Sequence, residues 1–193
     1  MKKLMHFIII SLLISCAQKL PVISDFGNDH YKLVNQNNEI FIFPDNVSGK
    51  IVVMNFIYTN CPDICPLSTN NIRLIQERLD KEKINDVHFV SLSFDPKNDT
   101  PGVLTKFAAV RNLNLGYWDF LTGEKSVTDA LINKAGVLAV PDDSTTTKEG
   151  KKIYSFVHTD RISLIDQEGR IRKNYTGSQI NIDEIVNDIR MLE

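Results

Sequence analysis

Two cysteines stand four residues apart in the stretch 58-YTNCPDICP-66, each followed by proline, just past the nearly uninterrupted apolar run Ile51 to Ile57. A pair of this kind can be a redox-active dithiol, part of a metal clamp, or a structural disulfide. At the entry to a helix, C-x₃-C spacing brings both sulfurs to one side, because residues four apart are neighbours on a helical surface. The structural disulfide is the least favoured of the three, since closing so small a loop constrains the unfolded chain little.

The third cysteine, Cys16, belongs to a different part of the chain. Lys2 and Lys3 precede an apolar segment from Leu4 to Ser15. It is shorter than the roughly 20 residues of a membrane-spanning helix and has the layout of an export signal. Its end, 13-LISC-16, resembles the lipobox of bacterial lipoproteins, in which cleavage before the cysteine leaves that residue acylated. The expected organisation is a signal peptide over residues 1–15, a lipid-anchored tether over 16–35, and one domain over 36–193. The protein is then extracytoplasmic and held at a membrane by lipid on Cys16. Cys61 and Cys65 become the only thiols of the mature domain, in a compartment where disulfides persist.

With no further cysteine to recruit, a Cys₄ or Cys₃His zinc site is excluded by counting. Copper(I) asks for less: it is soft, prefers thiolate and accepts few ligands, so two cysteines and one imidazole suffice. Of the four histidines, His6 leaves with the signal, His30 falls in the tether, and His88 lies inside a buried strand as a structural residue. His158, in 156-FVHTD-160, directly precedes a strand and is the candidate ligand.

The elements that must position these residues can be read from pattern. Ile40 to Phe43 and Ile51 to Tyr58 read as strands, the second central and buried because nearly every position is apolar. Ile72, Ile75 and Leu79 share one helical face, and Val87 to Phe94 is a second buried strand. Thr100 can cap a helix that starts at Pro101, and a third helix covers Val127 to Ala135. The polar tract 142-DDSTTTKEGKK-152 reads as a protruding loop or hairpin. Arg161 to Ile165 and Ile171 to Tyr175 form a hairpin around 166-DQEG-169, and Ile182, Ile185, Val186, Ile189 and Leu192 mark a last helix.

A β-α-β unit, a helix, a β-hairpin and a final helix are the order of an α/β, thioredoxin-like fold with a central mixed sheet. There the cysteine loop lies past the carboxyl end of a central strand, at a helix N-terminus that stabilises thiolate. The loop carrying His158 lies against it. With 193 residues, 42% hydrophobic, the chain supports one core. Its charge of −2 and scattered Lys and Arg give no nucleic-acid surface.

Together these stretches resemble the Sco/SenC family of copper-binding, thioredoxin-like proteins that serve cytochrome c oxidase assembly. The likeness is carried by Gly49-Lys50, 56-FIYTNCPDICP-66, 93-SFDPKNDTP-101, His158 with the strand behind it, the turn Asp166 to Gly169, and the terminal helix. It implies copper ligation by Cys61, Cys65 and His158, with supporting roles for Asp63 and Asp95; from sequence alone, Asp95 reads as a turn or capping residue. Many members carry an acidic residue directly before the ligand histidine, where this chain has Val157, so Asp160 is the candidate partner of the imidazole. Most members are anchored by a transmembrane helix, where a lipid is expected here.

Two functions follow from the resemblance. One is a metallochaperone that passes copper to the binuclear site of an oxidase subunit or to another extracytoplasmic copper protein. The other is a thiol-disulfide reductase that keeps the acceptor's cysteines reduced. Against the second stand the wider cysteine spacing and the lack of a proline beside His158, since thioredoxin-class oxidoreductases have C-x₂-C and a cis-proline there.

Overall fold

The computed structural model describes residues 20–142, 145–146 and 152–193; the expected signal segment, Cys16 and most of the polar tract after Asp142 lie outside the described residues. In chain order the strands are β1 (Ser24–Asp25), β2 (Tyr31–Asn35), β3 (Ile40–Phe43), β4 (Ile51–Ile57), β5 (Val87–Ser93), β6 (Trp118–Thr122), β7 (Ala139–Pro141), β8 (Thr145–Thr146), β9 (Lys152–Ile153), β10 (Phe156–His158), β11 (Ile162–Ile165) and β12 (Arg170–Tyr175). The helices are α1 (Ile64–Glu82), α2 (Pro101–Val110), α3 (Lys125–Lys134) and α4 (Ile182–Arg190).

All seven residues of β4 are buried, as a strand covered on both faces requires. β4 pairs in parallel with β5, and β5 with β6. On the other side of β4 the antiparallel strands β11, β12 and β1 follow in turn. β2 and β3 extend the sheet beyond β6, giving the order β1-β12-β11-β4-β5-β6-β2-β3. A parallel β4–α1–β5 unit joined to the β11–β12 hairpin and closed by α4 is the thioredoxin-like architecture that the element order predicts. Gly169 turns the hairpin at a φ of 81°, which an L side chain rarely adopts.

Three details differ from expectation. The tether does not run to residue 35: β1 pairs with β12, β2 pairs with β6, and both belong to the sheet. The physical reason is Phe26, which is 0% exposed and packs edge-on against Phe43 at 5.4 Å. Burying one phenylalanine side chain contributes about 2–3 kcal/mol, enough to hold a short edge strand that has little periodicity of its own. β6 is a strand beyond those that the sequence pattern predicts, and Trp118, Phe120 and Leu121 are fully buried within it. Thr100 does occupy the cap position before Pro101, but its side chain makes no capping bond; its carbonyl instead accepts from the amides of Val103 and Leu104.

A buried polar chain ties the site-bearing helix to the sheet. Trp118 Nε1 donates to Ser91 Oγ at 2.9 Å, Ser91 Oγ donates to Asn55 Oδ1 at 2.6 Å, and Asn55 Nδ2 donates to Ser68 Oγ at 3.2 Å. Ser68 Oγ then donates to the carbonyl of Cys65 at 3.1 Å. Every member is satisfied, so the network fixes the register of α1 on the strands without an orphaned polar group.

Candidate metal centre

The chain leaves β4 at Ile57 and turns through residues 58–63 into α1, with Cys61 ahead of the helix and Cys65 in its first turn. Both are free thiols, 8% and 1% exposed. The Cys65 amide donates to Cys61 Sγ at 3.4 Å, so this sulfur takes the place of a capping side chain. Asp63, the residue at the cap position, makes no such bond. A helix N-terminus favours negative charge, so the position suits a thiolate.

His158 arrives on its own short strand. β10 pairs antiparallel with β7, with His158 opposite Ala139 and Phe156 opposite Pro141, and this ribbon lays the imidazole over the cysteine loop. His158 Nε2 is 3.9 Å from Cys61 Sγ and 3.9 Å from Cys65 Sγ. The three donor atoms all lie within 4.8 Å of one another. Nδ1 faces the Thr159 carbonyl at 3.3 Å, so a neutral ring protonated there turns its Nε2 lone pair toward the sulfurs.

Aromatic rings wall the site. The imidazole sits 5.9 Å from Tyr58 and 5.1 Å from Phe94, centre to centre, and Phe156 closes on the same two rings at 5.0 and 5.2 Å. Both sulfurs are buried there and the imidazole is half-buried, which strengthens the electrostatic contacts among them. The S–H of Cys65, hydrogen-bonded to Cys61, is the main reason that the Cys61 pKa falls to about 3, with His158 helping. The same contact, together with burial, pushes Cys65 up. His158 is raised, chiefly by its bond to Cys61. The metal-free pair is therefore one thiolate and one thiol beside a proton-accepting imidazole.

A family model described as SCO1/SenC matches residues 24–192. The chain belongs to the SCO1/SenC family. Among solved structures, a SCO1/SenC family lipoprotein from Bacillus anthracis is 28% identical, with a TM-score of 0.71 over 88% of this chain and 95% of that one. ScoI of Bradyrhizobium japonicum with copper bound is 25% identical, with a TM-score of 0.70 over 85% and 98% of the two chains. BsSco, described as a member of the Sco family of cytochrome c oxidase assembly proteins with a disulfide switch, is 27% identical, with a TM-score of 0.72 over 91% and 98%.

Within this SCO1/SenC domain the three expected ligand residues come together, and the other histidines among the described residues, His30 and His88, stay apart. His88 Nε2 bonds Asp119 at 2.9 Å near the start of β5, at the end of the sheet away from the cysteines. His30 meets Asp45 on the surface at 2.8 Å. Asp160 is not the imidazole's hydrogen-bond partner: its carboxylate accepts from the Ser178 amide and hydroxyl, which leaves Nδ1 to the Thr159 carbonyl. Asp63 is exposed at the helix start. Asp95 is a turn residue, its carbonyl accepting from the Asn98 and Asp99 amides, and its carboxylate accepts from Asn98 and from Tyr154 Oη.

Sequence reasoning missed Asp99. It is 0% exposed and accepts from the Thr59 amide at 3.0 Å, Thr59 Oγ1 at 2.5 Å and Ser93 Oγ at 2.6 Å. The carboxylate clamps the cysteine loop two residues ahead of Cys61. The available signal was an acidic residue just before a Thr-Pro helix start, where the chain folds back toward the strand ends.

Proposed function

We propose that the protein is a copper metallochaperone, tethered outside the cytoplasm by lipid on Cys16, that carries copper on Cys61, Cys65 and His158 and passes it to the binuclear copper site of cytochrome c oxidase. The carrying observation is the donor set: two sulfurs and an imidazole nitrogen within 4.8 Å of one another. Two thiolates and one imidazole suit a soft ion of low coordination number, and no fourth ligand is needed to hold it. Low coordination also suits cargo, because an incoming thiolate of an acceptor finds room on the ion. The copper-bound ScoI structure and the oxidase-assembly description of BsSco support the same assignment.

A thiol-disulfide reductase remains the second reading, and a specific observation favours it. Cys61 and Cys65 are free, adjacent, and already one thiolate, which is what attack on a disulfide requires. The two functions separate in one variant. With both cysteines intact, His158→Ala is expected to abolish oxidase assembly in cells at limiting copper while the purified protein still reduces a model disulfide. Normal oxidase activity in that strain, with copper binding shown to be lost, would sink the chaperone and promote the reductase.

The anchor has its own test. The sequence 13-LISC-16 and the lipoprotein from Bacillus anthracis support acylation of Cys16. Mass spectrometry of the membrane fraction is expected to find a mature chain beginning at acylated Cys16. An unmodified Cys16, or a retained signal, would remove the lipid anchor from the proposal. Among the described residues no helix is long and apolar enough to cross a membrane.

A further inference from the structure

The cysteines and the histidine arrive on segments far apart in sequence, so something must hold the ribbon against the loop before any ion is present. Tyr154 stands where the two meet. Asn60 Nδ2, in the residue directly before Cys61, donates to Tyr154 Oη at 2.7 Å. Tyr154 Oη in turn donates to Asp95 Oδ2 at 2.5 Å. Asp95 is 6% exposed, and its carboxylate is oriented by Asn98 Nδ2, which donates to its two oxygens at 2.9 and 3.0 Å.

From Tyr154 the chain runs through Phe156 to His158, so the hydroxyl fixes the ribbon at a point just upstream of the ligand. Its ring packs 6.0 Å from Phe156 and 6.4 Å from Tyr58, centre to centre, which places it on the aromatic wall already described. Thr59 and Asn60 are thus both bound to the segment between β5 and α2, Thr59 directly by Asp99 and Asn60 through the tyrosine. Three separate segments converge on one hydroxyl, which both accepts and donates.

We propose that Tyr154 is a positioning residue for the metal centre: its hydroxyl bridges Asn60 and Asp95 and so locks the His158 ribbon to the cysteine loop before copper binds. The proposal deepens the copper reading and rests on it for its effect on affinity. A ligand set that is already assembled loses less conformational freedom on binding, so the bridge raises affinity without touching the ion.

The test is Tyr154→Phe in the full chain, which keeps the ring in its aromatic contacts and removes only the hydroxyl. In the reduced, metal-free protein, amide exchange at residues 58–61 and 156–158 is expected to accelerate about tenfold, reflecting easier local opening. In a competition titration with a Cu(I) chelator, the dissociation constant is expected to rise about tenfold, the size of change that follows loss of an outer-sphere contact. Asn60→Ala is expected to do the same, and the double variant to be no worse than either single one, because both break one bridge.

Exchange rates equal to those of the unsubstituted protein would overturn the proposal, whatever copper does. Faster exchange with unchanged affinity would overturn it too, since the hydroxyl would then serve the fold alone. If the unsubstituted chain binds no copper, the chaperone reading falls, while the exchange measurement still decides whether the hydroxyl locks the two segments.

Discussion

Replacing His158 with alanine is expected to weaken Cu(I) binding by the reduced chain by more than about 100-fold, beyond the range usual for outer-sphere changes. His88→Ala is expected to leave it unaltered, because that imidazole pairs with Asp119 at the start of β5. The pH dependence follows from the protons on the free site. Cys61 falls to about 3 and is already a thiolate at neutral pH, whereas Cys65 is raised and still carries its proton. Binding through both sulfurs must release that proton, and raised His158 gives up a further share as the pH falls toward its own titration. A reaction that releases protons is favoured as pH rises. The dissociation constant should therefore fall about tenfold per pH unit across about pH 6 to 8, measured by chelator competition in buffered series. A pH-independent affinity, or equal losses from the His88 and His158 substitutions, would mean that the ligand set is wrong.

Much of this site was legible because its chemistry is local. Cys61 and Cys65 announce themselves by spacing, and the buried run before them places them at the end of a central strand. His158 required one step more: a fold that brings the segment ahead of β11 next to the end of β4. What the sequence did not reveal depends on side chains that act across distance. β1 is a two-residue edge strand and β2 a short strand of mixed polarity between β6 and β3, so neither carries a periodic pattern; β1 is held by Phe26 next to it reaching the core, and β2 by Leu33 and its pairing on both sides. Trp118 to Thr122 has the composition of a strand, yet it follows a turn-rich segment that masks its start. Asp160 looked like the imidazole's partner because it is close in sequence, but the Ser178 amide and hydroxyl claim its carboxylate. Asp99 has only its place before the Thr-Pro helix start as a signal, and Tyr154 has no local signature, because the groups they hold, Thr59 and Asn60, are brought to them only by the fold.

Asp99 supplies the second large effect. Asp99→Ala is expected to cost about 2–4 kcal/mol of stability, because the Thr59 amide, Thr59 hydroxyl and Ser93 hydroxyl lose their common acceptor and each buried unmade bond costs about 1–3 kcal/mol. Relief from desolvating the carboxylate offsets part of that sum. Asp99→Asn keeps one carbonyl acceptor for the Thr59 amide, while the two hydroxyls can rotate, so its cost at neutral pH is expected to be only about 1–2 kcal/mol. The sign of the pH dependence separates the two causes. Burial raises the Asp99 pKa above its ordinary 3.8, so the folded state holds this proton more tightly than the unfolded one. Its contribution is most favourable below 3.8 and declines as pH rises through the folded value. Asparagine has no such term, so the deficit of Asp99→Asn should narrow as the pH rises above the ordinary 3.8 in urea unfolding. A deficit that widens with pH would mean that the ionised carboxylate is a net stabiliser here and that desolvation is not the leading cause. Because Thr59 stands two residues before Cys61, Asp99→Ala should also loosen the loop and reduce copper affinity in the fraction that remains folded, whereas Asp99→Asn should retain most of it.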